Sequence, residues 1–174
     1  MNTKTKNVYI IGDITTDTIK EIVLDLNEDK KIAELEELNI YISSAGGDLY
    51  ACLGMIDFIN YQRKKYGYKI NTYGLGEVAS GGFFMFVLGN NRYMSPMCRI
   101  FVHEHIVVDD ECWTYSEKIK ELKEEKILNR YYIKSVADSL DLSIKDATKL
   151  LRKDKWLTKK EIDRYNIVTG DIYE

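Results

Sequence analysis

Three times between Val8 and Phe86 a short strand-type run passes through a glycine-bearing turn into residues at helical spacing. Val8–Ile11 ends at Gly12-Asp13, and Ile19, Ile22, Val23 and Leu26 then recur behind the capping candidates Thr16 and Asp17. Asn39–Ser43 runs into Ala45-Gly46-Gly47, after which Leu49, Cys52, Leu53, Ile56 and Ile59 mark one helix face. Lys69–Tyr73 is followed by the turn and helix of Gly76–Phe86. Strands that alternate with helices over short connections predict an α/β fold, a parallel or mostly parallel sheet with helices packed against it.

Beyond Phe86 the pattern changes. Arg92–Met94 and Arg99–Val108 read as two further strands across Ser95-Pro96, and Thr114–Leu140 as a long helix rich in Glu and Lys. Its charges read as a solvated face. At about 40 Å such a helix outgrows a domain of this size and hints at assembly. Two shorter helices close the chain, the second started by a capping box, Thr158-Lys-Lys-Glu161.

With 174 residues the chain is long enough for one domain with a sizeable core. A net charge of −3 offers no electrostatic case for a nucleic-acid or anionic-membrane partner. No apolar run approaches the ~20 residues of a membrane span or forms a signal-peptide core. The odd set Cys52, Cys98 and Cys112 lacks metal-type spacing and reads as reduced thiols in a cytoplasmic protein.

In an alternating α/β fold, chemistry gathers where strands end and helices begin. Two such junctions are glycine-rich, SSAGGD (Ser43–Asp48) and GEVASGG (Gly76–Gly82). Ser80, at a helix start, is a candidate nucleophile; the Gly81 N–H could face developing negative charge and Gly47 could supply a second donor. The alternative is that Ser80 is an ordinary helix N-cap and the glycines serve packing.

A serine nucleophile needs a base and an orienting acid. The chain has two histidines, His103 and His105, and strand alternation through RIFVHEHIV would put both on one face. A metal pair completed by Asp109 or Asp110 competes with that reading, with nothing else at ligand spacing. Twenty-eight carboxylates are available as the acid, and Asp154, in the loop before a capped helix, is a suitable one. Patterning alone ends at an α/β domain with a candidate serine site.

Four segments extend the reading. IYISSAGGDLYACLGMIDFI, INTYGLGEVASGGFFMFVLGNNRYM, CRIFVHEH and KDKWLTKKEIDRYNIV resemble, in order and spacing, the signature blocks of the Clp protease proteolytic subunit family, ClpP. The resemblance runs from about Val8 to the C-terminus. It implies a single domain over 1–174 with the ClpP/crotonase fold, stacked ββα units and a protruding handle helix in the region of about 108–140. It also implies a self-compartmentalising serine endopeptidase, without a cofactor, acting on short or unfolded polypeptides. By that resemblance Ser80 falls on the nucleophile, His103 on the general base and Asp154 on the orienting acid. Gly47 and Gly81 fall on the oxyanion-hole donors. His105 stands where the family has proline and inherits no role. The family further implies a cytoplasmic homo-oligomer of heptameric rings, stacked in pairs through the handles and fed by an AAA+ ATPase.

The departures are specific. The family's axial-loop segment is largely missing ahead of Val8, which weighs against docking of the AAA+ ATPase that the resemblance implies. Gly81 replaces the methionine after the nucleophile, Ala45 the proline before the glycine pair, and Glu104-His105 a Gln-Pro. VVDDECW (107–113) stands in for a glycine-rich strand, and Arg152-Lys153 for an acid–Arg pair that links rings. Two like charges cannot form that link, so a single ring carries over better than a double one. A short, diverged chain of this kind is similar to bacteriophage versions. Two other functions stay open: a catalytically silent ring protein acting as scaffold or modifier of a Clp assembly, and a crotonase-type acyl-CoA enzyme.

Overall fold

The strand-type runs are all present, and three are longer than patterning indicates: β1 (Thr5–Ile11), β2 (Glu37–Ser44) and β3 (Lys69–Ala79). The computed structural model describes residues 4–28, 32–107 and 112–172. They belong to two compact units, Met1–Phe101 with Trp156–Glu174, and Val102–Lys155.

In the first unit β1, β2, β3, β4 (Asn91–Met94) and β7 (Gly170–Asp171) lie side by side in that order, every defined register parallel. β3 is long enough to take two partners along one edge. Residues 71–74 pair with β4, and residues 77–79 pair with β5 (Arg99–Val102), which in turn pairs with β6 (Lys155–Trp156). The β3–β5 ladder ends at Ala79↔Phe101 because β3 gives way at Ser80 to a helix. β5 therefore stops at Val102, and the expected strand to Val108 is corrected. Residues 103–107 are irregular, and Val108 lies outside the described residues.

One sheet face is apolar. Ile10, Leu38, Ile40, Ile42 and Ile70 are buried together with Ile22 and Leu26 of α1 (Thr16–Glu28) and Met55 and Ile59 of α2 (Leu49–Tyr66). Phe83, Phe84 and Phe86 of α3 (Gly81–Phe86) complete that core. Each such side chain is worth about 1.5–3 kcal/mol of burial.

The other face repeats one triplet. Asn-x-Tyr occurs at 7–9, 39–41, 71–73 and 91–93, and the parallel register sets like against like. The asparagines form a ladder, each amide donating to the carbonyl oxygen of its neighbour at 3.1, 3.0 and 2.9 Å from Asn39, Asn71 and Asn91. The tyrosines stack at 5.3, 4.7 and 5.1 Å between centroids. A one-residue slip would turn both ladders into the core, so together they fix the register.

Arg92 ties the C-terminal segment to the sheet. Its guanidinium is buried and donates to the carbonyls of Gly89, Ile167 and Asn166, each at 2.8 Å. Burial lowers its pKa, and the three carbonyls solvate a charge that water cannot reach.

The second unit is built on α4 (Tyr115–Leu140), the long helix expected from sequence. It begins in a capping box, with the Thr114 N–H donating to Glu117 at 2.9 Å. Its last turns, with Tyr132, Ile133, Val136, Ala137 and Leu140 buried, pack on α5 (Ile144–Leu151). In the first unit α6 (Lys159–Arg164) follows the predicted capping box, the Thr158 N–H reaching Glu161 at 3.0 Å. Among the described residues no helix is long and apolar enough to cross a membrane.

Replacing Arg92 by Met removes three charge-assisted hydrogen bonds and leaves buried carbonyls unpaired. The expected loss is about 3 kcal/mol or more in urea unfolding. A loss below about 1 kcal/mol would show that Arg92 is not what fastens the C-terminal segment.

Candidate active site

Ser80 sits at the N-cap position of α3 with φ 49° and ψ −120°, and its side chain makes no capping hydrogen bond. A serine that merely capped the helix would adopt extended backbone and accept from an N–H in the first turn. Here the residue is held in a sparsely populated conformation at a strand-to-helix turn, the form in which a serine hydroxyl is lifted clear of its own backbone. The ordinary-cap alternative does not describe it.

The surrounding chain explains how that strain is held. A Cβ on Gly46 would fall 2.6 Å from Ser80 Cβ and 3.0 Å from its Oγ, and Gly46 has φ 113°. A Cβ on Gly47 would lie 2.7 Å from the Ile14 nitrogen and collide with its carbonyl oxygen. The loop is locked in place by the Gly46 N–H on Ser44 Oγ (3.0 Å), the Ile14 N–H on Gly46 O (2.8 Å) and the Asp48 N–H on Ile14 O (2.8 Å). Asp48 then caps α2 through the Ala51 N–H at 2.7 Å.

Two donors remain. Among the described residues no acceptor takes the N–H of Gly47 or of Gly81. They are neighbours, since a Cβ on Gly81 would stand 3.4 Å from the Gly47 nitrogen. The same Cβ would meet Cys52 Sγ at 2.7 Å, so that sulfur fills the space a side chain at 81 would need. Burial, and then the charge of Asp48, pushes the Cys52 thiol up to about 12, which keeps it protonated and no rival nucleophile.

In the second unit His103 follows the end of β5, half-buried. Its Nδ1 bonds to the Glu104 carbonyl, which can only accept, so Nδ1 is the donor in that contact. The Tyr132 hydroxyl donates to His103 O at 3.3 Å. His105 turns its Nε2 to Glu125 of α4. The expectation that both histidines share a strand face fails with the shortening of β5. Asp109 and Asp110 lie outside the described residues, and among the described ones no three His, Cys, Asp or Glu side chains gather as a metal set.

Asp154 occupies the turn between α5 and β6, exposed, with φ 48°, a left-handed conformation that Asp tolerates better than most residues. The structure thus gathers Ser80, Gly46, Gly47 and Gly81 within the first unit and carries His103 and Asp154 on the second. Sequence reasoning missed Ser44, Ile14 and Cys52. A serine two residues before a glycine is a recognisable turn signal and would have found Ser44; the other two act through tertiary contact alone.

The Clp protease family model matches residues 2–172. ATP-dependent Clp protease proteolytic subunit 2 of Borreliella burgdorferi is 26% identical over 177 residues, covering 95% of this chain and 81% of the relative. The subunit 2 of Treponema denticola is 24% identical over 168 residues, covering 95% and 80%. The proteolytic subunit of Ostreococcus tauri is 27% identical over 135 residues, covering 75% of this chain and 64% of that relative. A match that spans nearly every residue, on a parallel α/β sheet with a long helix, places the chain in the Clp protease family.

Proposed function

We propose that this chain is a serine endopeptidase of the Clp type, with Ser80 as nucleophile, His103 as general base and Asp154 as the acid behind it. The observation that carries the reading is the strained, uncapped Ser80 beside two N–H groups without acceptors among the described residues. Ser80 Oγ attacks the peptide carbonyl while His103 Nε2 takes its proton and passes it to the leaving amine. The Gly47 and Gly81 N–H groups hold the oxyanion, and water then releases the acyl group by the same steps. A carboxylate is needed to stabilise the imidazolium that forms; for Asp154 to supply it, His103 Nδ1 has to turn from the Glu104 carbonyl it bonds in this structure.

A scaffold without chemistry gives no reason to hold a serine in this conformation. Enclosure in a homo-oligomeric ring would supply selectivity, admitting short or unfolded polypeptide, with an AAA+ ATPase as the class of partner that unfolds larger substrates.

Wild type should cleave fluorogenic peptides and casein. Ser80→Ala and His103→Ala should each lower kcat about a thousandfold or more in protein that still assembles, and Asp154→Asn about a hundredfold or more. Retention of activity by Ser80→Ala would end the proposal. Gly46→Ala forces a side chain onto Ser80 and should both destabilise the fold, by about 1–3 kcal/mol in thermal unfolding, and abolish turnover. Full activity in that variant would mean the glycine does not hold the serine turn.

A further inference from the structure

The base proposed above stands on backbone that no strand supports, because the β3–β5 ladder ends at Phe101. Irregular backbone at a working site has to be held by other contacts. Three consecutive residues here are held one by one. The Tyr132 hydroxyl donates to His103 O at 3.3 Å, Arg152 Nε donates to Glu104 Oε1 at 3.1 Å, and Glu125 pairs with His105 Nε2. The holders come from two places, α4 and the residue just past α5.

From this arrangement we infer that Glu125 and Arg152 are positioning residues for His103. The inference rests on the catalytic reading of the preceding subsection. Glu104 is adjacent to the base, and Arg152 is two residues before Asp154, so their ion pair ties the segment bearing the base to the turn bearing the acid. Glu125 fixes the far side of the same segment through His105. The two braces differ in strength. The side chains of His105 and Glu125 are 14% and 18% exposed, so water competes little for their hydrogen bond. Those of Arg152 and Glu104 are 66% and 36% exposed, and their pair is the weaker and the more salt-sensitive. His105 is thereby a structural partner of α4 rather than a second base.

The test uses the full-length, assembled protein and a short fluorogenic peptide, reading kcat and KM separately. Glu125→Leu should lower kcat about ten- to a hundredfold at unchanged KM, because a misplaced base slows chemistry without weakening binding. Glu125→Gln, which keeps an acceptor for His105, should recover most of the loss. Glu104→Arg alone, which sets two like charges face to face, should lower kcat; the exchanged pair Glu104→Arg with Arg152→Glu should return it to within about threefold of wild type. Wild-type kcat in both Glu125→Leu and Glu104→Arg overturns the inference, as does an exchanged pair no better than Glu104→Arg. Should Glu125→Leu fail to assemble, the exchanged pair, built on exposed groups, decides alone. A wild type without turnover would remove the catalytic reading and this one with it. An active wild type with indifferent variants removes only this one.

Discussion

The contact on which the candidate site depends is the approach of Gly46 to Ser80. There is no room for a side chain between them: a Cβ on the glycine would stand 2.6 Å from that of the serine. The serine can then keep φ 49° at the end of β3 because the loop below is itself bound to Ile14 and to the buried Ser44. Strain at one residue is stable only when its neighbours over-determine it, and here the neighbours are backbone of the Ile14 and Gly46–Gly47 segments and the buried Ser44 hydroxyl. The same tight packing leaves the Gly47 and Gly81 amides side by side, without acceptors among the described residues. In the proposed reading, the serine turn and the oxyanion donors are one construction rather than two.

The parallel sheet sets where that construction falls. Its register is specified twice over, by isoleucines on the core face and by the asparagine and tyrosine ladders on the other. Cross-strand pairs of this kind contribute about 0.2–1 kcal/mol each, modest singly but all lost together by a slip. With the register fixed, the ends of β2 and β3 deliver the two glycine-rich turns to the same place.

Much of this was legible in the sequence, and the reasons for the rest are physical. Alternating strand and helix patterns gave the α/β class and the first three β-to-α units, since those periods reflect local burial. The long helix and the Thr158 capping box were equally local. The fourfold Asn-x-Tyr triplet was present in the sequence and passed unused; like residues at the same strand position are a direct statement of parallel register. What patterning could not reach was tertiary. RIFVHEHIV alternates as a strand should, but a strand needs a partner, and β3 ends at Ala79. Arg152-Lys153 carries a signal only for the link between rings; that Arg152 bonds within the chain to Glu104, at 3.1 Å, is a tertiary fact. Glu125 was taken as one more solvated charge on a helical face, and its partner is the histidine that the family pattern left without a role. Neither contact can be read from spacing, because their partners are 48 and 20 residues apart.

The claim at the centre of the account is that Ser80 is an activated nucleophile. Its most direct test is intact-mass spectrometry of assembled protein after treatment with a fluorophosphonate, with the modified residue mapped by peptide sequencing. The account predicts one adduct per chain, on Ser80, absent from Ser80→Ala. An assembled wild type that takes no adduct, or takes it on another residue, would contradict it.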